Sequence, residues 1–122
     1  MVLYNPGVCN IGKNEIRKRY LLGLVGFLVA IVFVYFLRGS FWVWLSFFPF
    51  MAGFEGAYQG YFKFCAGFAR AGIYDFEGSG GKRGKVGSTV GHLKDLVMAR
   101  KIHIYSFVSS VVLTILVWLA FG

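Results

Sequence analysis

The sequence predicts an all-α integral membrane protein. Three spanning helices fall over about residues 20–37, 41–62 and 104–121, and an amphipathic cytoplasmic helix over about 89–103. Composition is the first reason: the 122 residues are 57% hydrophobic, include 14 Phe, and have a mean hydropathy of +0.65. A soluble domain this apolar has too little polar surface to stay dispersed. Charge-free runs are the second. Residues 20–37 and 105–122 each carry no charged side chain, and each makes about 27 Å of helix, close to one hydrocarbon core. Residues 41–54 form a third such run, which continues past Glu55 to about Phe62. Chain length allows one domain over 1–122, with 1–19 and 62–103 on the cytoplasmic side.

The first run starts only after residue 19, and no small-residue cleavage pattern follows Ala30. It is expected to stay in the protein rather than be removed as a signal peptide. Arg38-Gly39-Ser40 reads as the tip of a tight hairpin, with Gly39 left-handed and Ser40 capping the second helix. The N terminus and residues 62–103 then share one side, and that side holds every one of the 13 basic residues except Arg38. Basic residues near spans are retained inside, so the N terminus is expected inside and the C terminus outside. The net charge of +8 is then mostly topology plus attraction to anionic lipids, with Arg17, Lys18, Arg19, Arg100 and Lys101 at the headgroups. No basic stripe interleaves with aromatic platforms, which argues against nucleic acid. Trp42, Trp44 and Trp118 fit the outer interface, and Tyr20 and Tyr105 the inner.

At 100° per residue the second helix carries two stripes. Ser46, Pro49, Gly53, Gly56 and Gly60 form a small-residue line, beside the aromatic line Phe47, Phe50, Phe54, Tyr58 and Tyr61. Small residues let helix backbones approach closely in lipid. The line serves either contact with the other helices of the chain or docking to another subunit. The third helix offers Ser106, Ser110 and Thr114 at i, i+4, i+8, and the first offers Gly23 and Gly26.

Glu55 lies on neither stripe. It projects with Phe48, Met51, Gln59 and Phe62 in the inner part of the span. A charge at the midplane costs about 2.5–3.5 kcal/mol, less near the interface and less again with Gln59 as a hydrogen-bond partner. A proton relay or ion site needs a second acid, His or Lys within the spans, and the other spans contain none. Glu55 and Gln59 therefore read as structural or partner contacts.

The inner side also carries Cys9, Cys65, His92 and His103. These are zinc-ligand types, but ordinary sites supply them in close pairs, which this spacing lacks. A reducing cytoplasm disfavours a Cys9–Cys65 disulfide, and neither thiol has a base nearby in sequence to activate it. Residues 77–89 resemble a phosphate loop only at first sight: Ser79 stands where the first Gly belongs, and Val86 where the hydroxyl belongs. The glycines of 77–91 instead predict a flexible basic loop. Ser88 or Thr89 then caps a helix whose apolar face is Val90, Leu93, Leu96 and Val97, against Lys94 and Arg100.

Cys9-Asn10-Ile11-Gly12, the basic cluster before the first span, then Gln59, Phe64-Cys65, Gly72, Phe76 and Asp95 occur in that order along most of the chain. The arrangement resembles a group of small bacterial inner-membrane proteins. They carry C-N-I-G near the N terminus and Q…F-C…G…N-F after the second span. Asp75 stands here where that pattern has Asn before Phe. The resemblance implies a multi-pass protein of the bacterial cytoplasmic (inner) membrane, and an approach of Cys9 to Cys65 beneath it.

Two functions fit these residues. The first is a non-catalytic accessory or structural subunit of a larger inner-membrane complex of respiratory, photosynthetic or oxygenase type. Its partners are other integral membrane subunits and anionic lipids, with no cofactor beyond bound lipid. The second is a stand-alone thiol- or metal-handling membrane protein using Cys9, Cys65, His92 and His103.

Overall fold

The computed structural model describes residues 4–77 and 81–121. It is mostly helical, and the order of its elements follows the punctuation of the sequence. The first charge-free run belongs to α1 (Lys13–Leu37). Gly39 ends it at φ +77°, the left-handed region where a Cβ is strained. Ser40 does not cap the next helix; its hydroxyl donates back to the Leu37 carbonyl at 2.8 Å.

The second expected span is not one regular helix. A 3-10 segment (Phe41–Ser46) leads into α2 (Phe47–Tyr61). Pro49 explains the change: it has no N–H to give the carbonyl four residues back, so the α-helix starts where proline sits in its first turn. Ser46 closes the 3-10 segment by donating its hydroxyl to the Val43 carbonyl at 2.7 Å.

After α2 come a short α3 (Ala66–Ala71), ended by left-handed Gly72, and then β1 (Ile73–Asp75) and β2 (Arg83–Lys85). The two strands pair antiparallel, Tyr74 opposite Gly84, so the all-helical expectation is corrected by one small sheet. Gly84 makes room for a ring: a Cβ there would lie 2.7 Å from the Tyr74 hydroxyl. Part of the expected loop 77–91 is thus strand, and its residues 78–80 lie outside the described residues.

The expected cytoplasmic helix and last span are a single helix, α4 (Thr89–Phe121), of 33 residues. Nothing between Gly91 and Phe121 is Gly or Pro, so nothing breaks it. Ser88 starts it, its hydroxyl accepting the Gly91 N–H at 2.9 Å.

At one end the Gly39 N–H donates to the Phe121 carbonyl at 2.6 Å, and the Trp44 and Trp118 rings lie 5.6 Å apart. At the other end the N-terminal arm, α3 and the strands form a cap. Phe64, Ala66, Ala69, Ala99 and Ile102 make its apolar core. Between the ends the packing is inverted relative to a soluble protein. Ser106, Ser110 and Thr114 are buried, while Leu21, Leu24, Leu28, Val112 and Leu116 face outward. Two helices, α1 and α4, are long and apolar enough to cross a membrane, and only 17% of each apolar window is covered. A core helix of a soluble protein would be covered on most sides.

Candidate functional site

Glu55 meets partners from two elements, and a third reaches it through His103. Within α2, Gln59 Nε2 donates to Glu55 Oε2 at 3.0 Å, the i, i+4 contact expected of a helix face. Across the bundle, His103 Nδ1 of α4 lies 2.5 Å from Glu55 Oε1. From α3, the Arg70 guanidinium contacts His103 Nε2. The expected spans hold no second acid, His or Lys, and His103, the partner found here, stands one residue before the last of them. Because α4 runs unbroken through residues 89–121, His103 is carried against α2.

The hydrogen-bonding roles follow from donor chemistry. A guanidinium only donates, so Nε2 must offer its lone pair. The tautomer carrying its proton on Nδ1 makes both contacts, donating to the Glu55 carboxylate and accepting from Arg70. The Glu55 and His103 side chains are 17% and 35% exposed, which makes this a half-sheltered cluster rather than a buried ion pair. It can fix the direction of Arg70. It brings no nucleophile with it.

The cap that delivers Arg70 is fastened by Asn10. Asn10 Nδ2 donates to the Cys65 carbonyl at 3.1 Å, and Asn10 Oδ1 accepts the Cys65 N–H at 2.7 Å. The Asn10 side chain thereby imitates a strand partner for the residue that starts α3. Its backbone is used as well, to Lys63 and Asp75, and Gly12 N–H reaches the Asp75 carbonyl at 2.9 Å. Ile11 is fully buried. Asp75 Oδ1 accepts the Glu77 N–H at 3.0 Å, a bond that an Asn oxygen at this position makes equally well.

A second clamp joins the arm to α4. Asp95 is fully buried and accepts the Tyr4 hydroxyl and the Gly7 N–H, each at 2.7 Å. Burial first, and then the Asp95 carboxylate, push the Tyr4 hydroxyl far above its ordinary range. Sequence reasoning missed the roles of Asn10, Asp95 and Arg70. The first two were visible only as members of a resemblance, and Arg70 only as one of many basic charges.

The small-residue line packs on α1 of the same chain. A Cβ on Gly56 would fall 2.5 Å from the Gly23 nitrogen, and one on Gly26 2.6 Å from the Gly53 nitrogen. Gly60 faces the Tyr20 ring. On α4, Ser110 and Thr114 donate to the carbonyls four residues back, at 2.6 and 2.7 Å, and Ser110 also reaches Met51 Sδ.

The four zinc-type residues go to different places. His103 is at Glu55, and His92 lies beside Gly72. Cys9 and Cys65 are buried free thiols around the Asn10 clip, and burial raises the Cys9 pKa. Among the described residues no three His, Cys, Asp or Glu side chains gather as a metal site. Arg17, Lys18, Arg100 and Lys101 are exposed, whereas Arg19 turns inward: it donates to Glu15 at 3.3 Å and to Cys65 Sγ at 3.1 Å, and lies over the Phe68 ring. No protein-family model, curated protein or solved structure matches this chain.

Proposed function

We propose that this chain is a three-pass protein of the bacterial inner membrane and a non-catalytic accessory subunit of a larger membrane complex of respiratory, photosynthetic or oxygenase type. The 3-10 segment and α2 together extend about 34 Å, enough for a third crossing beside α1 and α4. All basic residues except Arg38 belong to α1's first turns, the cap, or the start of α4, which favours a cytoplasmic cap.

One observation carries the accessory role. At 33 residues α4 is about 50 Å long, roughly 20 Å more than a hydrocarbon core. Its surplus at the cap end exposes Val90, Leu93 and Val97 by 64%, 56% and 56%. Being one rigid rod with the span, this stretch cannot lie flat in the headgroups as a separate amphipathic helix does. With Pro6 and Met98 these residues line an apolar groove of about 410 Å³, flanked by Lys94 and Lys101. An apolar face of this kind outside the bilayer fits an amphipathic segment of a partner with acidic flanks.

Purification from native membranes in mild detergent tests the reading. The chain is expected to migrate with larger subunits, and Leu93→Glu to release it from them while it stays in the membrane fraction. Migration of the unaltered chain as a free monomer, or a stoichiometric metal in that monomer, would overturn it in favour of the thiol- or metal-handling alternative.

A further inference from the structure

On the α4 side facing α2 and α3 lies a different groove, of about 560 Å³, which none of the contacts above fills. Its lower wall is apolar: Met51 from α2, and Ile104 and Phe107 from α4, the last two about half exposed. Its rim is cationic, with Arg70 and Arg100 lining the same space. Arg70 uses part of its guanidinium on His103 Nε2, which leaves other N–H groups to donate. Arg100 is exposed and has no hydrogen-bond or ion-pair partner among the described residues.

We infer that this groove binds one anionic phospholipid, its phosphate between Arg70 and Arg100 and one acyl chain along Met51, Ile104 and Phe107. The site rests on the membrane reading above but not on the accessory role. Charge argues for the occupant. Glu55 lies outside the groove, held by Gln59 and His103, so no carboxylate lines the space and its rim charges are the two guanidiniums. A phosphate diester supplies one negative charge and two non-bridging oxygens that the planar guanidinium fork recognises. Depth agrees as well. Arg100 sits one turn before Ile104 and two before Phe107, so a headgroup at the arginines sends its chain toward the bilayer interior. His103 is a positioning residue here: by accepting from Arg70 it aims the guanidinium across the rim.

Native mass spectrometry of the full chain in uncharged detergent, titrated with dioleoyl-phosphatidylglycerol, reads the site directly. One lipid per chain is expected to bind ahead of any others. Arg70→Gln and Arg100→Gln should each weaken it about fivefold, the worth of one interfacial base. Lys101→Gln, a neighbouring base outside the groove, should leave it unchanged. Arg100 is exposed and makes no hydrogen bond or ion pair among the described residues, so its substitution is expected to leave the fold intact. Equal binding by wild type, Arg100→Gln and Lys101→Gln would overturn the site, as would displacement of the lipid by inorganic phosphate alone. Release of the chain from membranes by alkaline carbonate would instead refute the membrane reading.

Discussion

Lys63 holds φ +56°, a left-handed conformation that costs a side-chain-bearing residue about 1–2 kcal/mol. It is kept because it closes α2: Lys63 N–H reaches the Gly60 carbonyl at 3.2 Å and Phe64 N–H the Gln59 carbonyl at 2.9 Å. Lys63→Gly should therefore stabilise the protein by about 0.5–1 kcal/mol in thermal unfolding. Glu55 separates two roles. Glu55→Gln keeps an oxygen for the His103 proton and should cost about 1 kcal/mol, whereas Glu55→Ala strands both His103 and Gln59 and should cost about 1–3 kcal/mol. Equal losses would mean that the carboxylate charge, not the hydrogen bonds, holds the cluster. Tyr4→Phe removes a bond to a buried carboxylate and should cost about 1.5–3 kcal/mol. Because the Tyr4 pKa is raised on folding, its contribution is whole below the ordinary value of 10.0 and is lost as pH rises beyond it. Proteolysis of the arm, slow at neutral pH, should quicken only in that alkaline range.

Between elements, backbone distance decides what is tolerated. A Cβ on Gly56 would meet the Gly23 nitrogen at 2.5 Å and the Arg19 carbonyl at 2.6 Å, both backbone atoms that cannot swing aside. Gly56→Ala should destabilise by about 1–3 kcal/mol and Gly56→Leu by more. Gly67 is exposed within α3, with only Cys65 Sγ 3.8 Å from a built Cβ. Gly67→Ala should stabilise by about 0.5–1 kcal/mol. If both alanines behave alike in thermal unfolding, the α1–α2 crossing is not close-packed. The helix runs and this crossing were legible because charge-free length and small-residue spacing are local, periodic signals. Other elements were not. Pro49 was read as one more small residue on a stripe, although its missing N–H resets the helix start. Glycines at 78–91 read as loop, although Gly84 serves Tyr74 across a strand pair. The Asn10 clip and the Glu55–His103–Arg70 row join residues 33 to 55 positions apart, and no period in a sequence reports such contacts.

At the scale of the molecule, polar and small side chains are turned inward and large apolar ones outward over α1 and α4, an arrangement that water penalises and lipid accepts. The ends differ in kind. One is a bare hairpin tied to the last turn of α4 by the Gly39–Phe121 hydrogen bond; the other is a folded cap bearing nearly all the basic charge. A chain crossing three times must place these ends on opposite faces of the membrane. The measurement that bears on this most directly is labelling of Gly39→Cys by a membrane-impermeant thiol reagent in intact cells stripped of their outer envelope. Position 39 has no neighbour within 4 Å of a built Cβ, so the thiol is open to reagent. The account predicts labelling at position 39 before permeabilisation, with Cys9 and Cys65 labelled only after the membrane is opened and the cap unfolded. Labelling of position 39 only after permeabilisation would contradict it.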